Sequence, residues 1–215
     1  MATVNTPLHD ALRDIGAFSR LTLPQHAMRS YQLEAAKPLA HHLLHRTGEQ
    51  FAIAFSRQAG KDEMLAQVIS WVLVRNSECG GTIVIAAPTL RPQAMISRDR
   101  LRDRLLANPL TAGITKVSDR TIHVGRAKAV FVSAAKTANA RGLTADLGLI
   151  ANEAQDISPS VWDAVFDPMA ASTNATALVT ARQRVPMLQI SAQIGPGRGK
   201  NAVGNVRVGK AERGC

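Results

Sequence analysis

The segment FSRQAGKDEML at residues 55–65 has the residue types of a phosphate-binding loop. It follows the apolar run QFAIAF and opens a stretch with the apolar spacing of a helix. This layout directs backbone N–H groups and a helix N-terminus at an anion, and the ammonium of Lys61 would reach β- and γ-phosphates. The pattern G-x-x-x-x-G-K-[ST] is only half matched, because Phe55 replaces the first glycine and Asp62 the Ser or Thr. An ordinary strand-to-helix turn is the alternative interpretation.

A second candidate segment, LGLIANEAQDI at residues 147–157, places an acid at the end of another apolar strand. Hydrolysis of a nucleotide needs a base that orients water, and Glu153 is the candidate. Asn152 takes the preceding position, where an Asp usually helps to hold Mg²⁺, and a neutral amide is a weaker partner for that ion. Taken alone, this pair is more typical of a helix cap or a solvated turn. The joint occurrence of the two segments favours a nucleotide site.

The elements that would position these residues alternate between strand and helix. Helical spacing covers residues 25–47, with Pro38 predicting a kink or a break between two helices. Buried strands are predicted at 50–55, 82–88, 129–135, 147–152 and 175–180, helices over the apolar spacing at 64–73 and at 92–107 and 159–166, and a hairpin at 114–124. Apolar strands joined by helices predict an α/β sandwich with a mainly parallel sheet.

The charge of the chain is unevenly distributed. The formal net charge is +10, and from residue 181 onward seven Lys or Arg face a single Glu. Most of the basicity therefore belongs to the tail, so it is weak evidence for a nucleic-acid surface on the body. The run Arg98, Arg100, Arg102 and Arg104 alternates with acids, which suits a solvated helix face or a DNA contact equally well. Two cysteines and no long apolar run predict a reducing cytoplasmic setting without a membrane span.

In order along residues 25–180, the segments resemble the ATPase domain of phage terminase large subunits. The matching segments are LPQHAMRSYQLEAAKPL at 23–39, SRQAGKDE at 56–63, APTLRPQ at 87–93, TANARGLTADLGLIANEAQDI at 137–157 and FDPMAASTNATALV at 166–179. The resemblance implies a P-loop NTPase-type three-layer sandwich with a mainly parallel sheet, incomplete at its C-terminus. It also implies ATP and Mg²⁺ as cofactors.

The resemblance assigns roles to individual residues. Lys61 would neutralise phosphate charge, Glu153 would orient the attacking water, and Arg57 would stabilise the transferred phosphoryl group, although Arg57 is equally compatible with a plain loop ion pair. Asp62 and Asn152 are the candidate metal-binding residues. The expected nucleotide-binding residues are Tyr31, Gln32, Arg57, Gln58, Ala59, Gly60, Lys61, Asp62 and Glu63.

Three regions are expected along the chain: an N-terminal helical segment with the adenine-contact motif at 1–48, the ATPase core at 49–180, and a basic, Gly-rich, poorly ordered tail at 181–215. Because Glu212 is the only acid after Asp167, we expect no nuclease centre and no nuclease activity. A shift of reading frame near codon 180 is one hypothesis for the change of character, and a tail that binds DNA is the other.

The resemblance also implies partners, namely double-stranded DNA, a terminase small subunit, a portal protein and further copies of the chain. The expected location is the cytoplasm of the host cell of a phage or prophage. Two alternatives stay open at the level of the sequence. One is a catalytically impaired or inactive truncated remnant, and the other is a helicase-like DNA-dependent ATPase.

Overall fold

The computed structural model describes residues 6–56, 58–135, 142–182 and 204–208, with side chains for 10–56, 58–135 and 142–180. Its centre is an eight-stranded sheet in the order β3-β4-β5-β2-β6-β7-β1-β8. The strands are β1 Gln50–Phe55, β2 Gly81–Ala87, β3 Thr115–Val117, β4 Thr121–Val124, β5 Ala127–Ser133, β6 Gly148–Ala151, β7 Thr176–Arg182 and β8 Gly204–Val208. Along the sheet, neighbouring strands from β5 through β2, β6, β7 and β1 to β8 are parallel. The β3–β4 and β4–β5 pairs are antiparallel.

Helices cover both faces of this sheet. The longer ones are α1 Thr6–Arg13, α2 Ile15–Thr22, α3 Ser30–His45, α4 Lys61–Arg75 and α5 Met95–Ala107. A π-type turn, Leu90–Ala94, precedes α5, and the helical segments Pro159–Val161, Trp162–Phe166 and Asp167–Ala171 follow β6. The three-layer, mainly parallel α/β architecture predicted from the sequence is confirmed.

Strand residues alternate between two cores because successive side chains point to opposite faces of a sheet. In β1, Phe51, Ile53 and Phe55 join the core formed with α2 to α5. Ala52, between them, joins the smaller core on the other face, where Trp162 and Phe166 supply the largest side chains. Both faces of the central strands are therefore buried, which explains their continuous apolar sequences.

Pro38 does not break the N-terminal helix as the sequence suggested, since α3 runs without interruption from Ser30 to His45. A proline inside a helix removes the N–H that would bond the carbonyl four residues earlier. That carbonyl belongs to Glu34, which lies on the exposed face of α3, so water can satisfy it. The helix is held instead by its buried face, which includes Ala35, Leu39 and Leu43.

The sheet topology brings the carboxyl ends of β1, β6 and β7 side by side, because β7 pairs in parallel with both of the others. The loop after β1 and the acidic segment after β6 therefore lie on one edge of the sheet. In the predicted tail, where little packed structure was expected, β8 is a strand that pairs with β1; residues 183–203 and 209–215 lie outside the described residues. None of the helices that the structure describes is long and apolar enough to cross a membrane.

Candidate nucleotide-binding site

The loop after β1 has a tight, partly left-handed backbone. The N–H of Ala59 bonds the carbonyl of Ser56 at 3.2 Å, and Gln58 and Gly60 have φ angles of 59° and 79°. Glycine adopts such a φ without strain, which accounts for Gly60 at the start of α4. Arg57, predicted to act in catalysis, lies outside the described residues.

Phe55 stands where the common motif has its first glycine, and the fold gives the reason. It is the last residue of β1 and is only 2% exposed, packed in the core beneath α4. The loop begins one residue later, at Ser56. The first glycine of the motif is therefore replaced by a buried core residue of β1, Phe55. The turn itself keeps the second glycine, Gly60.

Two side chains of α3 hold this loop from below. The hydroxyl of Tyr31 donates to the carbonyl of Ala59 at 2.9 Å, and the amide of Gln32 donates to the carbonyls of Ala59 and Gly60 at 3.4 and 3.0 Å. The Oε1 atom of Gln32 accepts from the N–H of Arg29 at 2.9 Å and caps the same helix. Both residues were expected to contact nucleotide, and in the structure they contact the backbone of the loop.

Lys61 is the first residue of α4, and its side chain reaches across the sheet edge to the end of β6. Its Nζ lies 2.7 Å from both Asn152 Oδ1 and Glu153 Oε1, and 3.9 Å from Asp62 Oδ1. Lys61 is 8% exposed. The two segments singled out from the sequence therefore form one charged centre.

Glu153 follows β6 in a left-handed backbone conformation, with φ of 55°. Its Oε1 accepts from Lys61, while Oε2 accepts from the amide of Gln155 at 2.7 Å. Both carboxylate oxygens are thus held by neighbours, and the side chain is 12% exposed. A carboxylate held in place beside a lysine suits a group that orients water.

Asn152, which follows β6, bonds residues of three other elements through one amide. Its oxygen accepts from Lys61 and from the hydroxyl of Thr180, at the end of β7, at 2.9 Å. Its nitrogen donates to Ser97 of α5 at 3.0 Å and to Asp62 at 3.3 Å. The sequence did not single out Thr180 or Ser97. Thr180 ends a predicted strand, which was a usable signal, because parallel strands end on one edge.

The charged centre lies at a cleft of about 570 Å³, which is of the size that small-molecule sites have. Its lining combines the loop, the start of α4 and the acidic segment. The lining residues are Phe55, Ser56, Gln58, Ala59, Gly60, Lys61, Asp62, Glu63, Arg100 and Glu153. Seven of the nine site residues predicted in the loop and at the end of β6 therefore share one cleft; Tyr31 and Gln32 contact its loop.

Glu63, another predicted nucleotide-binding residue, is engaged by α5 and by its own helix. Arg104 Nε lies 2.8 and 3.0 Å from its two carboxylate oxygens, and Gln67 donates to it at 2.9 Å. Arg100 approaches more loosely, at 3.5 Å, and also lines the cleft. Arg100 is thus a cation of the cleft that the sequence placed only in a basic run.

The rest of that basic run forms ion pairs within α5. Arg102 bonds Asp99 at 3.1 Å and Asp103 at 2.8 Å, and Arg98 lies 3.3 Å from Asp99. The hydrogen bond to Asp103 raises the pKa of Arg102. Of the two interpretations, internal ion pairs are therefore observed for Arg98 and Arg102, and a DNA contact stays a prediction.

A divalent cation would have to rely on few protein ligands here. Within the described ranges, no group of three or more His, Cys, Asp or Glu side chains could hold a metal ion. Mg²⁺ bound with a nucleotide needs only one or two carboxylates, since phosphates and water supply the other oxygens. Asp62, with a side chain 39% exposed at the cleft, fits that requirement. The oxygen of Asn152 already accepts three hydrogen bonds, so it does not fit as a direct ligand.

Comparison with known proteins returns structural relatives only. No family profile and no curated protein matches the chain. The large terminase of bacteriophage HK97 is similar over 79% of this chain and 37% of its own, with a TM-score of 0.62 and 21% identity. The ATPase domain of the Thermus phage P74-26 large terminase is similar over 63% of this chain and 59% of its own, with a TM-score of 0.51 and 24% identity.

A point mutant of the same Thermus phage domain matches equally well, with a TM-score of 0.51 and 23% identity over 63% of this chain and 60% of its own. The chain thus spans less than two thirds of the length of each of these proteins. At such identities the likeness is one of fold. This chain has the fold of the phage large-terminase ATPase domains, as the resemblance in its sequence implied.

Proposed function

We propose that this chain binds and hydrolyses ATP as the ATPase domain of a DNA-packaging motor of the large-terminase kind. One observation carries the proposal: Lys61, from the loop after β1, contacts Asn152 and Glu153, from the end of β6, at 2.7 Å each. This contact brings together, at one cleft, the residues that we propose for phosphate binding and for water activation. The terminase fold supplies the packaging context.

Phosphate binding would rest on the loop and on α4. The positive end of the helix dipole and the first N–H groups of a helix favour an anion at its start. Lys61, the first residue of α4, adds a full charge there. A bound phosphate would compete with Glu153 for the Lys61 ammonium, because that ammonium now donates to the carboxylate.

Hydrolysis would rest on Glu153, held by Lys61 and Gln155. A carboxylate fixed in this way accepts a hydrogen bond from water and directs its oxygen at the γ-phosphate. Mg²⁺ neutralises charge on the β- and γ-phosphates when it is bound, and Asp62 is the carboxylate that would help to hold it. Arg57, from the loop, remains the proposed charge partner of the transferred group.

The motor's partners follow from the proposed function. Double-stranded DNA is the substrate that would be moved, and a small subunit, a portal protein and further copies of the chain are the proposed assembly partners. Arg100, at the cleft and on the basic helix α5, is a proposed link between the nucleotide and that assembly.

ATP hydrolysis by the purified chain, measured with and without duplex DNA, tests the proposal. Duplex DNA should raise the rate, and Lys61→Ala should lower it by about a hundredfold or more, because loss of a phosphate-neutralising charge acts on the transition state. Lys116→Ala is the matched control, since Lys116 is exposed on β3, away from the cleft residues.

The alternatives give different results in the same assay. Equal and negligible rates for the wild type and Lys61→Ala would identify a catalytically impaired or inactive remnant. ATP hydrolysis that is stimulated by single-stranded DNA, together with unwinding of a DNA duplex, would identify a helicase-like ATPase.

A further inference from the structure

Asp62 and Asn152, two of the three positions at which this site departs from the common pattern, are in contact. Asn152 Nδ2 donates to Asp62 Oδ1 at 3.3 Å. The common pattern has a hydroxyl residue after the lysine and a carboxylate before the catalytic acid. Here the carboxylate follows the lysine, and a neutral amide precedes Glu153. Because the two unusual residues contact each other, we consider them together.

The orientation of the Asn152 amide is fixed by its surroundings. Three donors meet its oxygen: the Lys61 ammonium, the Thr180 hydroxyl and the N–H of Glu153 at 3.1 Å. An amide nitrogen cannot accept these bonds, so the nitrogen must lie on the other side. Asn152 is 6% exposed, which makes an unsatisfied alternative orientation costly.

The nitrogen therefore faces Asp62 and Ser97. The hydroxyl of Ser97 donates to the carbonyl of Gln93 at 3.3 Å. The hydroxyl oxygen therefore accepts the hydrogen bond from the Asn152 amide. For Asp62, the amide is a donor matched to a carboxylate acceptor. An aspartate at 152 would instead bring two carboxylates within hydrogen-bonding distance, and such pairs repel unless one is protonated.

We propose that Asp62 and Asn152 are an interchanged pair, in which the loop side carries the single carboxylate turned toward the divalent cation of a bound nucleotide and the strand side carries the amide that orients it. The cation's part of this inference rests on the proposed function. Lys61 lies within 3.9 Å of both Asp62 and Glu153, so the interchange keeps two acids, and not three, around one lysine. Asn152 is a positioning residue that acts through Asp62.

A cycle of four proteins tests the pair in the absence of any ligand: the wild type, Asp62→Asn, Asn152→Asp and the exchange variant Asp62→Asn/Asn152→Asp. Asn152→Asp should lower the Tm by about 3 °C or more, since a repelling, partly buried pair of carboxylates costs stability at this chain length. The exchange variant should regain most of that loss, because an amide again faces a carboxylate. If the Tm of the exchange variant falls by the sum of the losses in the two single variants, the pairing is overturned.

The affinity for a fluorescent ATP analogue, measured with and without Mg²⁺, tests the role of the carboxylate. The wild type and the exchange variant should each gain about tenfold or more from Mg²⁺, and Asp62→Asn, which leaves two amides, about threefold or less. A wild-type gain in Asp62→Asn would overturn the assignment. Asp62→Asn and the exchange variant decide this arm even where Asn152→Asp fails to fold.

Asp103→Asn is the control for loss of one negative charge, because Asp103 is an exposed carboxylate of α5. This change should leave the gain in affinity for the ATP analogue on addition of Mg²⁺ at its wild-type value. Made in all four proteins of the cycle, it should also leave the coupling in Tm between positions 62 and 152 unchanged. Absence of nucleotide binding by all variants, with the coupling in Tm intact, would overturn the proposed function and the cation's role together and would support the pairing. Nucleotide binding with additive losses in Tm would overturn the pairing alone.

Discussion

The two strand ends that form the cleft are held in place by different means. The loop after β1 is held through its backbone, by hydrogen bonds from Tyr31 and Gln32 to carbonyl oxygens and by the left-handed conformation of Gly60. The end of β6 is held through a side chain, since Asn152 bonds residues of α4, α5 and β7. A change of side chain beside the loop, as at Phe55, therefore leaves these backbone bonds in place, whereas a change at Asn152 removes side-chain bonds to three other elements.

The largest effect is expected at the β6 end, from Glu153→Gln. The amide keeps the shape of the side chain but loses the charge that polarises water, so the rate of ATP hydrolysis should fall by about a hundredfold or more while ATP affinity changes little. Hydrolysis assays and equilibrium binding on the same preparation separate the two quantities. Glu78→Gln, at an exposed residue, is the control. A rate equal to that of the wild type would remove Glu153 from catalysis.

Gly60→Ala should give the next largest effect and act through the backbone of the loop. A side chain at φ of 79° is strained, and a Cβ there would meet the amide of Gln32. We expect a loss of about 1–3 kcal/mol in the free energy of unfolding and weaker ATP binding. Denaturant titration measures the first. Gly113→Ala is the control, because its added Cβ would meet nothing within 4 Å apart from the adjoining chain. Equal losses in both would show that the loop is not held through its backbone.

Gln32→Ala removes the side chain that supports the loop without touching the cleft. Its loss leaves the carbonyls of Ala59 and Gly60 with fewer hydrogen-bond donors. The free energy of unfolding should therefore fall by about 1–2 kcal/mol, and the affinity for ATP should fall several-fold. Gln25→Ala, on the exposed segment before α3, should leave both unchanged. An ATP affinity that falls while stability stays constant would instead favour the direct contact with nucleotide inferred from the sequence.

Tyr31→Phe should give the smallest effect. Only the hydroxyl that donates to Ala59 is lost, and the partly buried ring stays. The expected loss is about 0.5–1.5 kcal/mol in the free energy of unfolding, measured by denaturant titration, with ATP affinity almost unchanged. A larger drop in affinity than Gln32→Ala causes would show that this hydroxyl acts on the nucleotide.

The fold could be predicted from the sequence because its signals are local. The apolar runs at 50–55 and 82–88 and the helical spacing after each are visible within a few residues, and all four elements are present as β1, α4, β2 and α5. The continuity of α3 through Pro38 could not be predicted, because it depends on which face of the helix meets the core.

The candidate site could be predicted less completely. Lys61 and Glu153 stand out by residue type and by their positions in segments that follow apolar strands, although their roles stay predictions. Ser97 and Arg100 could not be singled out by spacing, because each reaches the site through the packing of its helix, whereas Thr180 was marked by its place at the end of a predicted strand. For the same reason, the sequence did not indicate that Asp62 and Asn152 touch.

The position of β1 in the sheet has a consequence for the order in which the molecule folds. β1 pairs with β7 on one side, Gln50 opposite Ala177, and with β8 on the other, Phe51 opposite Gly204. Contacts between segments so distant in the sequence close large loops of chain, and proteins rich in them fold slowly. We therefore expect β1 to gain its neighbours late, and the cleft at its end to form only near the end of folding.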